Sequence, residues 1–196
     1  MLWLALVLFL ALTVAVLRGG RLVNLGDIEL RAWWLLFVAF GLQAGTRWLP
    51  DAEWSESAGL AMVLVSFGLL MLLVALNTKK PGMWLVGVGV LMNFTVIAAN
   101  GGMPVLAGAA EVASGFAVTE PDLSDSFKHV PLDASSRLAF FADVIPLRLV
   151  GIGEVISVGD IFLALGLGVF LENELRRPRR WFKRGASAQA GSASDR

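Results

Sequence analysis

AGLAMVLVSFGLLMLLVAL, residues 58–76, carries no charge, and a second uncharged run, MWLVGVGVLMNFTVIAA, fills residues 83–99. The hydrocarbon core of a bilayer is about 30 Å thick, so about 20 apolar helical residues cross it. Both runs are close to that length. Between them stands Asn77-Thr-Lys-Lys-Pro-Gly82. Two lysines hold this turn in water, and the Pro-Gly pair stops the first helix before the second begins. The pattern predicts two spanning helices joined by a short basic turn.

Working outward, three further apolar stretches cover residues 1–17, 32–49 and 155–171. Arg18-Gly-Gly-Arg21, Pro50-Asp51, Asn100-Gly-Gly102 and Glu172 bound them. The expected fold class is therefore all-α, a polytopic membrane helical bundle of five transmembrane helices. A long structured outer loop, residues 100–154, would join the fourth helix to the fifth. Residues 1–175 form one transmembrane domain. Residues 176–196 form a basic juxtamembrane segment and a disordered cytoplasmic tail, because GASAQAGSASDR is too small and polar to bury a core. Composition agrees: 57% of residues are apolar and 16% charged, against about 45–50% and about 25% in soluble domains. Residues 1–17 lack a basic start and a small-x-small cleavage site, so they read as a retained helix. With no cysteine and one histidine among 196 residues, disulfides, thiolate metal sites and multi-histidine metal sites within one chain are excluded. No metal and no cofactor is expected.

Lys and Arg set the orientation. With the N-terminus outside, the inner segments hold Arg18, Arg21, Arg31, Lys79, Lys80, Arg176, Arg177, Arg179, Arg180, Lys183, Arg184 and Arg196, twelve in all. The outer segments hold four, Arg47, Lys128, Arg137 and Arg148. Tryptophan gives the same N-out, C-in map, since indole rings prefer the headgroup level. Trp3, Trp48 and Trp54 fall at the outer surface, and Trp33, Trp34, Trp84 and Trp181 at the inner one. The run RRPRRWFKR at 176–184 reads as a stop-transfer anchor that meets anionic lipid headgroups rather than nucleic acid. Gly41 and Gly45 form a GxxxG spacing, and Gly87, Gly89, Gly159, Gly166 and Gly168 offer further faces for close packing. Their partners lie within the chain or in a second copy.

Polar residues inside the spans collect at the outer half of the last two helices. Asn93 and Asn100 share one face, as do Ser157 and Asp160. An intramembrane carboxylate costs on the order of a few kcal/mol unless it is paired, hydrated or protonated, so Asp160 is a functional candidate or a helix brace. Residues 138–147, LAFFADVIPL, are apolar, too short to span, and broken by Asp143 and Pro146. Such a segment is interfacial or re-entrant. The connection from Arg148 to Ile156 is short enough to bring Asp143 and Asp160 together. Two carboxylates in one site split into an acid and a base. Asn100-Gly101-Gly102-Met-Pro104 forms a turn where the fourth helix leaves the membrane. The loop also holds Glu120, Asp122, Asp125, Asp133 and the sole histidine, His129. His129 reads as a solvated loop residue or a proton donor facing the aspartates. Asn93, Asn100, Gly101, Gly102, Pro104, His129, Pro146, Ser157 and Gly159 complete the expected binding or structural cap.

NGGMPV at 100–105, Lys128-His129, the 138–147 segment and SVGDI at 157–161 together resemble a family of small bacterial integral membrane proteins, found mainly in actinobacteria and firmicutes, to which no reaction is assigned. The resemblance implies a multi-pass location in the bacterial inner membrane. Arg148 stands where another proline or small residue is expected. A fainter similarity links Phe-x-Ala-Asp and SVGDI to lipoprotein signal peptidase, a membrane aspartyl protease. In that family two further helices separate its Asn motif from the first catalytic aspartate, and here no spanning helix lies between Asn100 and Asp143.

Three readings follow. The first is a binding, scaffold or accessory protein that uses its outer cap to dock a protein partner, a second copy or lipid. The second is an intramembrane aspartyl hydrolase or peptidase with Asp143 and Asp160 as its catalytic pair. The third is a small-solute or ion pathway, for which the inner halves of the first and third helices offer almost no polar residues. The first makes the fewest demands on the residues and is the expected one.

Overall fold

The computed structural model describes residues 2–114, 129–149 and 152–178. Helix α1 is Leu2–Leu17, α2 is Trp34–Gly45, α3 is Ser55–Leu76 and α4 is Met83–Asn100. Strand β1 (Met103–Val105), helix α5 (Ala107–Ser114), and strands β2 (His129–Pro131), β3 (Ile145–Leu149) and β4 (Ile152–Ile156) follow, and α6 is Val158–Leu175. The all-α expectation is thus corrected, since the described part of the connection between α4 and α6 folds as short strands and a short helix. β1 and β2 pair in parallel with Met103 opposite His129. β3 and β4 form an antiparallel hairpin with Ile145 opposite Ile156. The physical reason is composition. Residues 145–156 are rich in β-branched and alternating apolar positions, which favour a pleated surface over a helix. Residues 155–156, expected to begin the last helix, are strand for the same reason, and the helix runs on to Leu175 instead. The segment 138–149, read from its sequence as interfacial or re-entrant, has no long helix. It is a 3-10 turn, Ala139–Phe141, leading into β3.

Among the described residues, two helices are long and apolar enough to cross a membrane, α3 and α4. α1 is apolar but has 16 residues, α2 has 12 and continues as a 3-10 turn at Thr46–Trp48, and α6 carries Asp160, Glu172 and Glu174 in its 18.

The five long helices stand side by side. α2 packs on α3, α3 on α4, α4 on α6 and α6 on α1, and these are the principal helix–helix contacts. Sequence order and spatial order differ because α1 lies beside α6. The loop from Arg18 to Trp33 therefore runs along one end of the row to reach α2. The apolar core lies between α3 and α4, with Val63, Phe67, Val74, Val86, Val90, Val96 and Ile97 buried.

The α4–α6 seam is the closest. A Cβ on Gly166 would stand 2.6 Å from the Val86 nitrogen, and one on Gly89 would stand 2.5 Å from the Gly159 oxygen. Gly82 meets Gly166 and Gly89 meets Gly159, so glycines seven residues apart on one helix oppose glycines seven apart on the other. Only residues without a Cβ let two backbones approach this far. Gly41 of the GxxxG pair meets nothing within 4 Å, and Gly45 meets only Met62.

Candidate functional site

Strand β4 ends at Ile156 and the chain turns helical at Ser157, whose extended backbone (φ −95°, ψ 167°) marks the helix cap. The Ser157 hydroxyl accepts from the Asp160 N–H at 3.1 Å, and an Asp160 oxygen accepts from the Ser157 N–H at 3.0 Å. This reciprocal box satisfies two donors that a helix start leaves open. α4 completes it. Asn93 Nδ2 donates to Asp160 Oδ1 at 2.9 Å, and the Ser157 hydroxyl reaches Asn93 Oδ1 at 3.1 Å and Asp160 Oδ2 at 3.0 Å. Its single proton serves one of these acceptors at a time. Gly159 makes the approach possible, because a Cβ there would collide with Asn93 Oδ1. Asn93, Ser157, Gly159 and Asp160 therefore form one clamp between α4 and α6.

Asp143 belongs to a second set of contacts. It is 6% exposed and lies beside β1, where its N–H donates to the Pro104 carbonyl at 2.9 Å and its carbonyl accepts from the Leu106 N–H at 3.0 Å. His129 Nε2 stands 3.8 Å from Asp143 Oδ2, and Pro104 is fully buried. A third set surrounds Asn100. Its amide donates to the Val96 and Arg137 carbonyls at 2.8 Å each, and its Oδ1 accepts from the Arg137 N–H at 2.7 Å. Gly101 adopts a left-handed conformation (φ 74°) that ends α4, and Gly102 is buried behind it. Pro146 sits in β3 opposite Val155, with its side chain exposed.

Apart from Pro146, the expected site residues are thus gathered into three sets near the end of α4 and the start of α6. Asp160 spends both oxygens on Asn93 and Ser157, while Asp143 faces His129. Among the described residues no group of three or more His, Asp or Glu is placed to hold a metal ion. On the outer loop, Ser135 and Ser136 bond the Asp133 carboxylate and hold it below the ordinary aspartate value of 3.8, the Ser135 hydroxyl contributing most. Lys128, Glu120, Asp122, Asp125 and the run from 179 onward, including Trp181, lie outside the described residues.

Sequence reasoning missed a group at the opposite end. Asn77, which ends α3, donates to the Arg31 carbonyl at 3.0 Å and accepts from the Arg31 N–H at 2.9 Å. Asn24 donates to the Leu175 carbonyl at 2.7 Å and the Arg177 carbonyl at 2.9 Å. Glu174, 2% exposed, is bracketed by Lys80 and Arg177 at 3.1 Å each. The signal for Asn77 was its place just past an apolar span, the position from which a side chain meets free helix carbonyls. Glu174 carried none, since an acid at a span's end looks like an ordinary boundary.

A family model described as a family of unknown function (DUF5317) matches residues 27–172, which include all three sets of contacts. An uncharacterized protein of Thermotoga maritima is 31% identical over 166 residues, 84% of this chain and 87% of its own length. No solved structure matches. The family match extends over well over half of the sequence and runs from the loop before α2 through most of α6, and the chain belongs to this family of unknown function (DUF5317).

Proposed function

We propose that the protein is a five-helix integral protein of the bacterial inner membrane, N-terminus outside and C-terminus inside, acting through its outer cap as a binding, scaffold or accessory protein. The turn at Leu138–Phe141 carries the reading. Leu138 holds a left-handed backbone (φ 56°, ψ 37°), a conformation that costs a non-glycine residue on the order of 1–2 kcal/mol. Asn100 clamps the backbone of Arg137 just before it. Beyond the clamp, Phe140 is 72% exposed. A strained, clamped turn that presents an aromatic side chain outward suits docking of a partner protein, since aromatic anchors dominate such contacts.

The membrane assignment draws support from the flanks of the helices. Phe9, Phe37, Val65, Leu91 and Leu165 are all more than half exposed, on five different helices. Water would make such a surface aggregate, whereas lipid accepts it. The arrangement of Asp160 favours bracing over hydrolysis, because both its oxygens already serve the helix cap and Asn93.

The absence of cysteine makes the map directly testable. Single Ala52→Cys, Thr78→Cys and Ser135→Cys variants are exposed in intact cells to a membrane-impermeant maleimide. Positions 52 and 135 are expected to label, and position 78 only after lysis. The reverse pattern defeats the orientation. For the cap, a photo-crosslinking phenylalanine analogue at position 140 is expected to give a discrete protein adduct that Asn100→Ala abolishes. Adducts unchanged by Asn100→Ala would overturn the docking role.

A further inference from the structure

The inner end of the row holds two acids that take up four cations. Arg18 and Arg176 bond Glu172 at 2.6 and 3.2 Å, and Lys80 and Arg177 bond Glu174. Three described cations remain there, Arg21 and the pair Arg31 and Lys79. Both members of the pair are exposed, and neither joins an ion pair among the described residues. They are also neighbours. The Asn77 side chain bonds both backbone groups of Arg31, and Lys79 is two residues from Asn77 in the α3–α4 turn.

Exposed aromatic residues follow each of these charges in the chain. Ala32 takes a left-handed backbone (φ 54°) that turns the chain from Arg31 into α2. Trp33 follows and stacks edge-on against Phe37, one turn further into the helix, with ring centroids 5.6 Å apart. Both rings are exposed, as are Trp34 and, just past the same turn, Trp84. Two unpaired cations thus lie close in the chain to exposed indoles, the side chains that mark the headgroup level of a membrane. The nearest acids on the loop are Asp27 and Glu29, both exposed.

We propose that Arg31 and Lys79, with Trp33, Phe37 and Trp84, form a binding site for one membrane phospholipid of net negative charge. The cations take its phosphate, and the rings take the upper part of an acyl chain. The inference rests on the inner placement of this end proposed above. It is distinct from the tail's expected electrostatic contact, since it lies on α2, α3 and α4.

The test uses the full chain in neutral detergent, titrated with phosphatidylglycerol, phosphatidylcholine or inorganic phosphate and read by native mass spectrometry. Phosphatidylglycerol is expected to bind with at least ten-fold preference over phosphatidylcholine, and millimolar phosphate should not displace it. Near a charged lipid each cation is worth about a five-fold change in affinity, so Arg31→Gln with Lys79→Gln should weaken binding by about thirty-fold. Arg31→Lys with Lys79→Arg should retain it, which separates lost charge from lost folding. Arg47→Gln with Arg137→Gln, at the other end, should leave it unchanged. Equal binding of phosphatidylglycerol by the Gln pair, equal binding of phosphatidylcholine, displacement by phosphate or an equal loss in the outer pair would each overturn the site. This readout has no sidedness, so a failure of the orientation appears only in the maleimide labelling.

Discussion

Replacing Gly166 by alanine tests the α4–α6 seam. The added Cβ would stand 2.6 Å from the Val86 nitrogen and 2.8 Å from the Gly82 oxygen, and ordinary contact begins at 3.4 Å. Relief at those two atoms needs displacements of 0.8 and 0.6 Å. Both neighbours are backbone, so no side chain can swing aside, and the helices must separate. A radial gap of about 0.5–1 Å forfeits a quarter to a half of each dispersion contact it opens. Overpacking of this kind costs about 1–3 kcal/mol. Alanine returns about 0.8–1 kcal/mol of helix propensity over glycine, leaving a net loss of up to about 2 kcal/mol. Gly41→Ala is the control, because its Cβ would meet nothing within 4 Å. There the propensity gain stands alone, and stability should hold or rise by up to about 1 kcal/mol. Both variants are unfolded in mixed micelles by increasing the dodecyl sulfate fraction, with loss of helical circular dichroism as the signal. The reasoning fails if Gly166→Ala unfolds at or above the wild-type midpoint.

Asp160→Ala removes the cap acceptor and strands donors of Ser157 and Asn93, so the same unfolding assay should show a loss of about 2–3 kcal/mol, with Ser157→Ala losing about 1–2. Lys80→Met leaves the buried Glu174 with Arg177 alone and should destabilise by about 2–3 kcal/mol, much of which Glu174→Gln in the same chain recovers; a double variant no better than Lys80→Met would contradict the ion-pair account. Asp133 has a folded-state pKa below its unfolded value of 3.8. Its contribution is therefore present above that value and lost as pH falls through the folded one. Ser135→Ala should raise the folded pKa toward 3.8, seen in a carboxyl-resolved NMR titration, and an unmoved titration would refute the assigned cause.

The helices were legible in the sequence because long apolar runs such as 58–76 carry that signal without reference to any partner. The clamp was half legible. Ser157 and Asp160 at i, i+3 announce a helix start, and Asn93 stands out as polar in an apolar run. That Asn93 reaches them depends on Gly159 and Gly89 lying opposite each other, which no local pattern states. The outer strands were missed for a different reason. LAFFADVIPL was read by its hydrophobicity, whereas Pro146 and the β-branched run 155–156 decide in favour of a hairpin. The inner latches were missed because Asn24 and Asn77 bond the backbone of distant segments, and a backbone partner leaves no mark on the sequence at its own position.

Those latches explain how a row of helices stays in one register. In a bundle closed on itself each helix touches several others, and register is over-determined. Here α1 and α2 stand at the ends of the row, each packed mainly on one neighbour. In the membrane proposed above, lipid would supply no hydrophobic force to hold them, since tails are as apolar as the side chains. Directional bonds must do it. Asn24 fixes the start of the inner loop to the end of α6, and Asn77 fixes its end to α3, so one loop ties both ends of the row to its middle. Asn100 and the Asn93–Ser157–Asp160 clamp do the same for the outer connection. Among the described residues the buried polar side chains are thus used mostly on the chain's own backbone and helix caps, while Arg21, Arg31 and Lys79 at one end and the Leu138–Phe140 turn at the other face outward.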